Sequence, residues 1–161
     1  MRVRTIVSED YTNYKLPSMF IGCIRCDGKC CIEGGIPRST CINNNWRDSN
    51  IIDVDDDELI RSYMSNPITS AIVFGLLEPM LQPYEIERFI QKLREEYMCN
   101  DPVIIYTGYT ENEVGIIIRD WARFGNIIAK YGRFVPNQDK HFDDVLGVDL
   151  ASPNQYAKHY A

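Results

Sequence analysis

Apolar residues along the chain occur in short continuous or alternating runs, separated by segments whose apolar positions recur at helical spacing. Short runs rich in β-branched and aromatic residues are typical of β-strands. The pattern predicts strands at residues 71–74, 103–106 and 127–130, and at one or both of residues 3–7 and 19–21.

Three segments carry apolar residues every three or four positions and are predicted to be helices. The first follows Asp53 and the acidic residues 55–57, which favour a helix start because carboxylates complement the N-terminal dipole. The second covers residues 83–97, with a proline tolerated in its first turn, and the third covers residues 111–124. Residues 23–50 contain too many turn-forming residues for a long helix, so we expect a loop there.

Strands that alternate with helices indicate βαβ units, so the predicted fold class is α/β with a mainly parallel sheet. In such sheets, ligands bind at the carboxyl ends of the strands. Residues 75–79 and 107–109 follow two predicted strands, and the cysteine-rich loop follows another. We therefore expect these segments to lie at one edge of the sheet. The residues after Gly132 look more irregular.

Composition and charge narrow the classes of function. The 161 residues are 45% hydrophobic, which suits one domain spanning residues 1–161. Lys and Arg number 17 against 23 Asp and Glu, a net charge of −6, so no nucleic-acid partner is expected. No apolar run reaches the roughly 18 residues of a membrane span, and the N-terminus lacks the apolar stretch of a signal peptide. We expect a cytoplasmic protein without a membrane partner.

The cysteines are concentrated in one region. Five of the six lie between Cys23 and Cys41, and Cys99, which we expect to be inert, stands alone. In a reducing compartment such a cluster indicates a metal or redox site more than a disulfide framework. Cys26 and Cys30 enclose three residues, including a glycine that allows the backbone to turn both thiols inward. Thiolates select zinc or an iron–sulfur cluster, and the residue types alone do not separate the two.

Five short regions occur in order along the chain. The first comprises FIGC, the spacing Cys26-x3-Cys30 and CINNNW, which ends at Trp46. FGLLEP contains Glu78, and IIYTGYTENEV, GRFVP and SPNQ follow in the second half. Together they resemble the small radical S-adenosylmethionine activating proteins, above all those that activate anaerobic ribonucleoside-triphosphate reductase. Members of that family carry C-x3-C-x2-C and a GGEP element. Here about eight residues are inserted before the last cysteine, and one of the two glycines is replaced.

The resemblance implies an abbreviated, partial radical S-adenosylmethionine βα barrel that carries a 4Fe–4S cluster. Its ligands would be Cys26, Cys30 and Cys41, leaving one iron open for S-adenosylmethionine. Cys31 is a further candidate metal ligand. Cys31 could act as a fourth ligand and leave no open coordination site, replace Cys30 as a ligand, or lie beside the cluster without binding it.

By the same resemblance, the cofactor-binding residues are Gly75, Glu78, Thr107 and Gly108, and the carboxylate of Glu78 receives the ammonium group of S-adenosylmethionine. The implied activity is oxidoreductase-type reductive cleavage of S-adenosylmethionine to methionine and a 5′-deoxyadenosyl radical. The implied partners are a reductant such as flavodoxin or ferredoxin and a glycyl-radical enzyme.

Two other functions fit the same residues. A non-enzymatic, degenerate relative could keep the fold and hold an iron–sulfur cluster or zinc for structural or electron-transfer purposes. Alternatively, the chain is a zinc-stabilised interaction module. An open iron with a competent cofactor pocket distinguishes the enzyme from the first rival, and the identity of the metal distinguishes it from the second.

Overall fold

The computed structural model describes residues 1–161 and confirms the α/β class. The strands are β1 (Arg2–Val3), β2 (Thr5–Asp10), β3 (Ser18–Gly22), β4 (Ile52–Asp53), β5 (Ile72–Gly75), β6 (Val103–Tyr106), β7 (Ile127–Tyr131), β8 (His141–Asp143), β9 (Val148–Leu150) and β10 (Tyr156–Tyr160). The α-helices are α1 (Lys29–Gly34), α2 (Asp56–Ser65), α3 (Pro83–Glu95) and α4 (Glu111–Trp121).

A six-stranded sheet with the order β10-β7-β6-β5-β3-β2 organises the chain. Its four inner strands are parallel, whereas β2 and β10 pair antiparallel at the two edges. The sheet is therefore mixed, with the expected parallel part at its centre. Strands β1 and β4 form one small antiparallel pair, and β8 and β9 form another.

The two long helices of the second half follow from their sequences. In α3, Pro83 opens the first turn, and the buried face contains Ile86, Phe89, Ile90 and Leu93, at the spacing of one helical stripe. Helix α4 begins with a capping box between Thr110 and Glu113. Both helices end slightly before their predicted boundaries, and a 3-10 turn, Ala122–Phe124, continues α4.

Apolar side chains fill both faces of the sheet, because residues along each inner strand point alternately to either side. One face packs against α2, α3 and α4, with Phe74 and Trp121 among its largest buried side chains. On the opposite face, Val73 and Ile104 lie in a smaller cluster with Leu146. All three longer helices therefore cover the same face.

The structure corrects three local expectations. Residues 23–50 are not entirely loop, since they contain α1 and the 3-10 helices Arg38–Thr40 and Asn44–Asp48. The predicted N-terminal strand is divided between β1 and β2. The region after residue 132 contains β8, β9 and the edge strand β10, whose mostly exposed residues lack the apolar run that marks a buried strand.

None of the helices combines the length and the apolar character needed to cross a bilayer.

Candidate functional site

Two loops at the carboxyl edge of the parallel strands lie side by side, as the topology led us to expect. The backbone N–H of Cys23, just after β3, donates to the carbonyl oxygen of Gly75 at the end of β5, with an N···O distance of 2.9 Å. The N–H of Glu78 donates to the carbonyl of Arg25 at 2.6 Å. These bonds join the cysteine-rich loop to residues 75–79.

Glu78 is a buried carboxylate enclosed by hydrogen-bond donors, and only 7% of the residue is exposed. Its Oε1 accepts from the backbone N–H of Met80 at 3.0 Å and from the hydroxyl of Thr107 at 2.7 Å. Its Oε2 accepts from the N–H of Gly108 at 2.9 Å. Burial raises the pKa of Glu78 above its ordinary value, and the three donors oppose that rise because they stabilise the charged form.

Gly75 and Gly108 occupy positions with little room for a side chain, and of the two only Gly108 would direct a side chain into the site. A Cβ atom on Gly108 would lie 3.1 Å from the sulfur of Cys30 and 3.5 Å from Oε2 of Glu78. A Cβ atom on Gly75 would lie 3.2 Å from the ring of Phe20. The structure thus brings the residues expected to bind the cofactor to one place, with Thr107 and Gly108 in direct contact with Glu78.

The thiols of the cysteine-rich loop are free, and the Cys30 thiol lies against Gly108, whose N–H binds the Glu78 carboxylate. Cys26 Sγ accepts from the N–H of Gly28 at 3.3 Å, and Cys30 Sγ accepts from the N–H of Phe134 at 3.3 Å. Hydrogen bonds to sulfur are among the features that tune iron–sulfur clusters. No three His, Cys, Asp or Glu side chains are arranged as a ready metal site, so metal loading would have to draw the thiols closer together.

Cys30 and Cys31 are consecutive residues of α1, and their side chains project about 100° apart. Cys30 faces Gly108 and Phe134. Cys31 is 95% buried, and this burial raises the pKa of its thiol. The nearby thiols of Cys41 and Cys26 raise that pKa further. The two adjacent thiols therefore have different neighbours. Cys99 lies apart from this loop, buried after α3, and its carbonyl accepts from Arg94.

Arg133, for which the sequence provided only the GRFVP motif, connects the elements around the site. Its guanidinium donates to the carbonyl of Gly108 at 2.6 Å and forms ion pairs with Glu33 at 2.8 Å and Glu113 at 2.8 Å. It also lies over the ring of Tyr109, 5.3 Å from the ring centroid. Arg133 thus holds α1 against the ends of β6 and β7.

Tyr109 and Asp27 form a second connection that sequence reasoning did not assign. The hydroxyl of Tyr109 donates to Asp27 Oδ2 at 2.5 Å, which ties the turn after β6 to the cysteine-rich loop. The ammonium group of Lys29 lies 4.6 Å from the centroid of the same ring. The TGY turn was recognisable in the sequence, but its partner Asp27 was not.

Lys130 is a buried cation at the carboxyl end of β7, and 7% of the residue is exposed. Burial lowers the pKa of Lys130 to about 8, and the nearby Cys30 and Glu78 oppose that shift. Its ammonium group donates to the carbonyl of Gly132 at 3.3 Å. The sequence signal was a single charged residue within an otherwise apolar strand.

A search of protein-family models, of curated proteins and of solved structures finds no match to this chain. The chemistry of the site therefore rests on its own residues. Four free thiols, in a loop that is hydrogen-bonded to the segment carrying an enclosed carboxylate, match in donor type a soft metal or an iron–sulfur cluster beside a pocket for a cationic group.

Proposed function

We propose that this chain is a cytoplasmic radical S-adenosylmethionine protein. Cys26, Cys30 and Cys41 would hold a 4Fe–4S cluster, with Cys31 as the neighbouring thiol. S-adenosylmethionine would bind at Gly75, Glu78, Thr107 and Gly108. The observation that carries the proposal is the enclosed carboxylate of Glu78, joined by backbone hydrogen bonds to the cysteine-rich loop.

Glu78 is suited to bind an ammonium group. An ionised carboxylate has about four acceptor positions, and Met80, Thr107 and Gly108 occupy three of them. The remaining position is on Oε2, which accepts only from Gly108. A cationic ligand at this position would offset the cost of burying the carboxylate and would form a charge-assisted hydrogen bond.

The thiols fit an iron–sulfur cluster in chemical type and in location. Two of them accept backbone N–H bonds. Burial raises the pKa of the Cys30 thiol, and the N–H of Phe134 and the charges of Arg133 and Lys130 oppose that rise because they stabilise the thiolate. When bound and reduced, a cluster with one open iron supplies the electron that cleaves the sulfonium C–S bond of S-adenosylmethionine. The protein's own part is to position the cofactor through Glu78 and to shield the thiols within the loop.

The backbone supports the same proposal. Leu76 adopts a φ of 72°, a backbone conformation that favours glycine. It stands where the family that this chain resembles has its pair of glycines. The inner strands follow one another in chain order, and α2, α3 and α4 pack on one face. A doubly wound parallel sheet would instead have helices on both of its faces. One-sided helices suit the partial barrel that we propose for the fold.

We extend the proposal to two protein partners, a reductant such as flavodoxin or ferredoxin and a glycyl-radical enzyme that the chain would activate. The supporting observation is that Ile32 and Ile42, both close to the cysteines in sequence, are 67% and 86% exposed. Apolar side chains exposed next to a redox centre are consistent with a partner approaching it.

Anaerobic reconstitution with iron and sulfide tests the cluster. Cys26→Ser and Cys41→Ser should lose the bound iron, whereas Cys99→Ser should retain it, because Cys99 lies away from the loop. Iron and sulfide content, together with the electron paramagnetic resonance spectrum of the reduced protein, are the readouts. Stoichiometric zinc without iron uptake would instead support a zinc-stabilised interaction module.

Product analysis tests the activity. Reduced, cluster-loaded protein should convert S-adenosylmethionine to methionine and 5′-deoxyadenosine, and adding S-adenosylmethionine should change its resonance spectrum. Glu78→Gln should keep its iron but bind S-adenosylmethionine about ten- to a hundredfold more weakly, as expected for the loss of a charge-assisted hydrogen bond. A full cluster that yields no product and an unchanged spectrum would leave the degenerate, non-enzymatic relative as the better description.

A further inference from the structure

A cavity of about 290 Å³ opens beside the cysteine-rich loop. Its apolar lining comes from Ile24, Leu77 and Leu81, together with the side chain of Cys26. Three arginines from distant parts of the chain complete it: Arg4 between β1 and β2, Arg25 in the cysteine-rich loop, and Arg47 in the 3-10 helix Asn44–Asp48. The cavity therefore combines an apolar wall with three guanidinium groups.

None of these arginines forms an ion pair, although the chain has an excess of acidic residues. Arg4 donates to the carbonyl oxygens of Ile24 and Ser49, so its orientation is held by the backbone. Asp27 is the one acid in the lining, and it already accepts from the hydroxyl of Tyr109 at 2.5 Å. Three arginines and one aspartate leave a formal charge of 3 − 1 = +2 without an internal partner.

We propose that this cavity binds the phosphate group of a small phosphate monoester. A phosphate carries a charge of about −1.5 to −2 at neutral pH, which matches the charge of the lining. Guanidinium groups bind phosphate oxygens in pairs and are weakly hydrated, so several arginines around one cavity suit this anion. The apolar residues would contact the organic part of the ester. The volume lies at the lower end of the range for small-molecule sites, which favours a ligand smaller than a nucleotide.

The cavity is distinct from the proposed S-adenosylmethionine pocket. Leu77 lines the cavity, whereas the carboxylate of the next residue, Glu78, points to Thr107 and Gly108. The two sites thus use different side chains of the loop after β5. Cys26 is the one residue that the cavity shares with the proposed cluster, and none of the three arginines is a proposed ligand of the cluster or of S-adenosylmethionine, so either proposal can fail without the other.

Calorimetric titration of the full, anaerobically purified chain tests the site, with inorganic phosphate and phenyl phosphate as probes at constant ionic strength. We expect one saturable site that binds phenyl phosphate more tightly than inorganic phosphate, because only the ester uses the apolar wall. Arg47→Gln should weaken binding at least about tenfold, and Arg25→Gln should weaken it to a smaller degree because Arg25 is exposed. Arg61→Gln, which removes the same charge from the exposed face of α2, should leave affinity unchanged.

Three results would overturn the assignment. The first is an absence of saturable binding, and the second is equal weakening by Arg47→Gln and Arg61→Gln, which would indicate nonspecific attraction. The third is displacement of phenyl phosphate by S-adenosylmethionine, which would make the cavity part of the cofactor pocket. Far-ultraviolet circular dichroism of each variant confirms that lost binding does not reflect lost structure.

Discussion

Replacing Glu78 by Gln tests whether the enclosed carboxylate is held as the structure describes. The carboxylate accepts from Met80 N–H and Thr107 hydroxyl on one oxygen and from Gly108 N–H on the other. A glutamine has only one acceptor oxygen, so its NH2 group must face one of the two backbone N–H groups. In either orientation, a buried N–H group of Met80 or Gly108 loses its acceptor.

The expected cost follows from that single lost acceptor. An unsatisfied buried backbone donor destabilises a protein by roughly 1–3 kcal/mol. For a chain of this size, each kcal/mol lowers the melting temperature by roughly 2–4 °C, so a decrease of several degrees should be measurable. The substitution is nearly isosteric, so we expect no added cost from a cavity or from overpacking.

The destabilisation caused by Glu78→Gln should also depend on pH, and the pKa shift of Glu78 fixes the direction of that dependence. Burial raises the pKa of Glu78 in the folded protein above its ordinary value of 4.5. The stability that its protonated form contributes is fully present below pH 4.5 and is lost as the pH rises through the raised value. Glutamine does not titrate, so the destabilisation by Glu78→Gln should be largest near pH 4 and should shrink as the pH increases.

Denaturant unfolding of wild type and Glu78→Gln at several pH values measures both effects. Glu58→Gln is the matched control, because Glu58 is exposed on α2 and its side chain makes no hydrogen bond. Its free energy of unfolding should stay close to that of the wild type. A Glu78→Gln variant as stable as the control at pH 4, or a difference that grows with pH, would refute this account of the carboxylate.

Two further substitutions test the connections around the site. Gly132→Ala should destabilise the fold by more than about 2 kcal/mol in thermal unfolding, because Gly132 has a φ of 107° and an added Cβ would lie 2.7 Å from the carbonyl oxygen of Asn154. Gly34→Ala is the control, because an added Cβ there meets nothing within 3.5 Å. Equal destabilisation by the two substitutions would contradict the argument. Glu113→Gln should cost about 1 kcal/mol at pH 7, since the carboxylate caps α4 and pairs with Arg133. These contacts lower the pKa of Glu113, so the stability that they contribute is present above its ordinary pKa of 4.5 and is lost as the pH falls. The free energies of unfolding of wild type and Glu113→Gln should therefore converge in acid. A constant difference down to pH 2 would rule out the ion pair as the cause.

Local sequence was sufficient for the elements whose signals are local. The apolar runs of β5, β6 and β7 and the amphipathic stripe of α3 were recognisable because burial on one or both faces imposes a short period on the residues. Parallel strands that alternate with helices also bring their carboxyl ends to one edge. For that reason, the approach of Glu78 to the cysteine-rich loop is predictable from the sequence.

Contacts between distant residues were decided only by the tertiary structure. Arg133 meets Glu33 across 100 positions of sequence, and no local period records such a pairing. The exposed edge strand β10 was missed because its pairing with β7 depends on backbone hydrogen bonds rather than on apolar side chains. The different surroundings of Cys30 and Cys31 arise because a short helix turns consecutive side chains apart, whereas the sequence shows only that they are adjacent. Residue types and spacing thus determined which groups are available, and the packing of remote segments decided which of them meet.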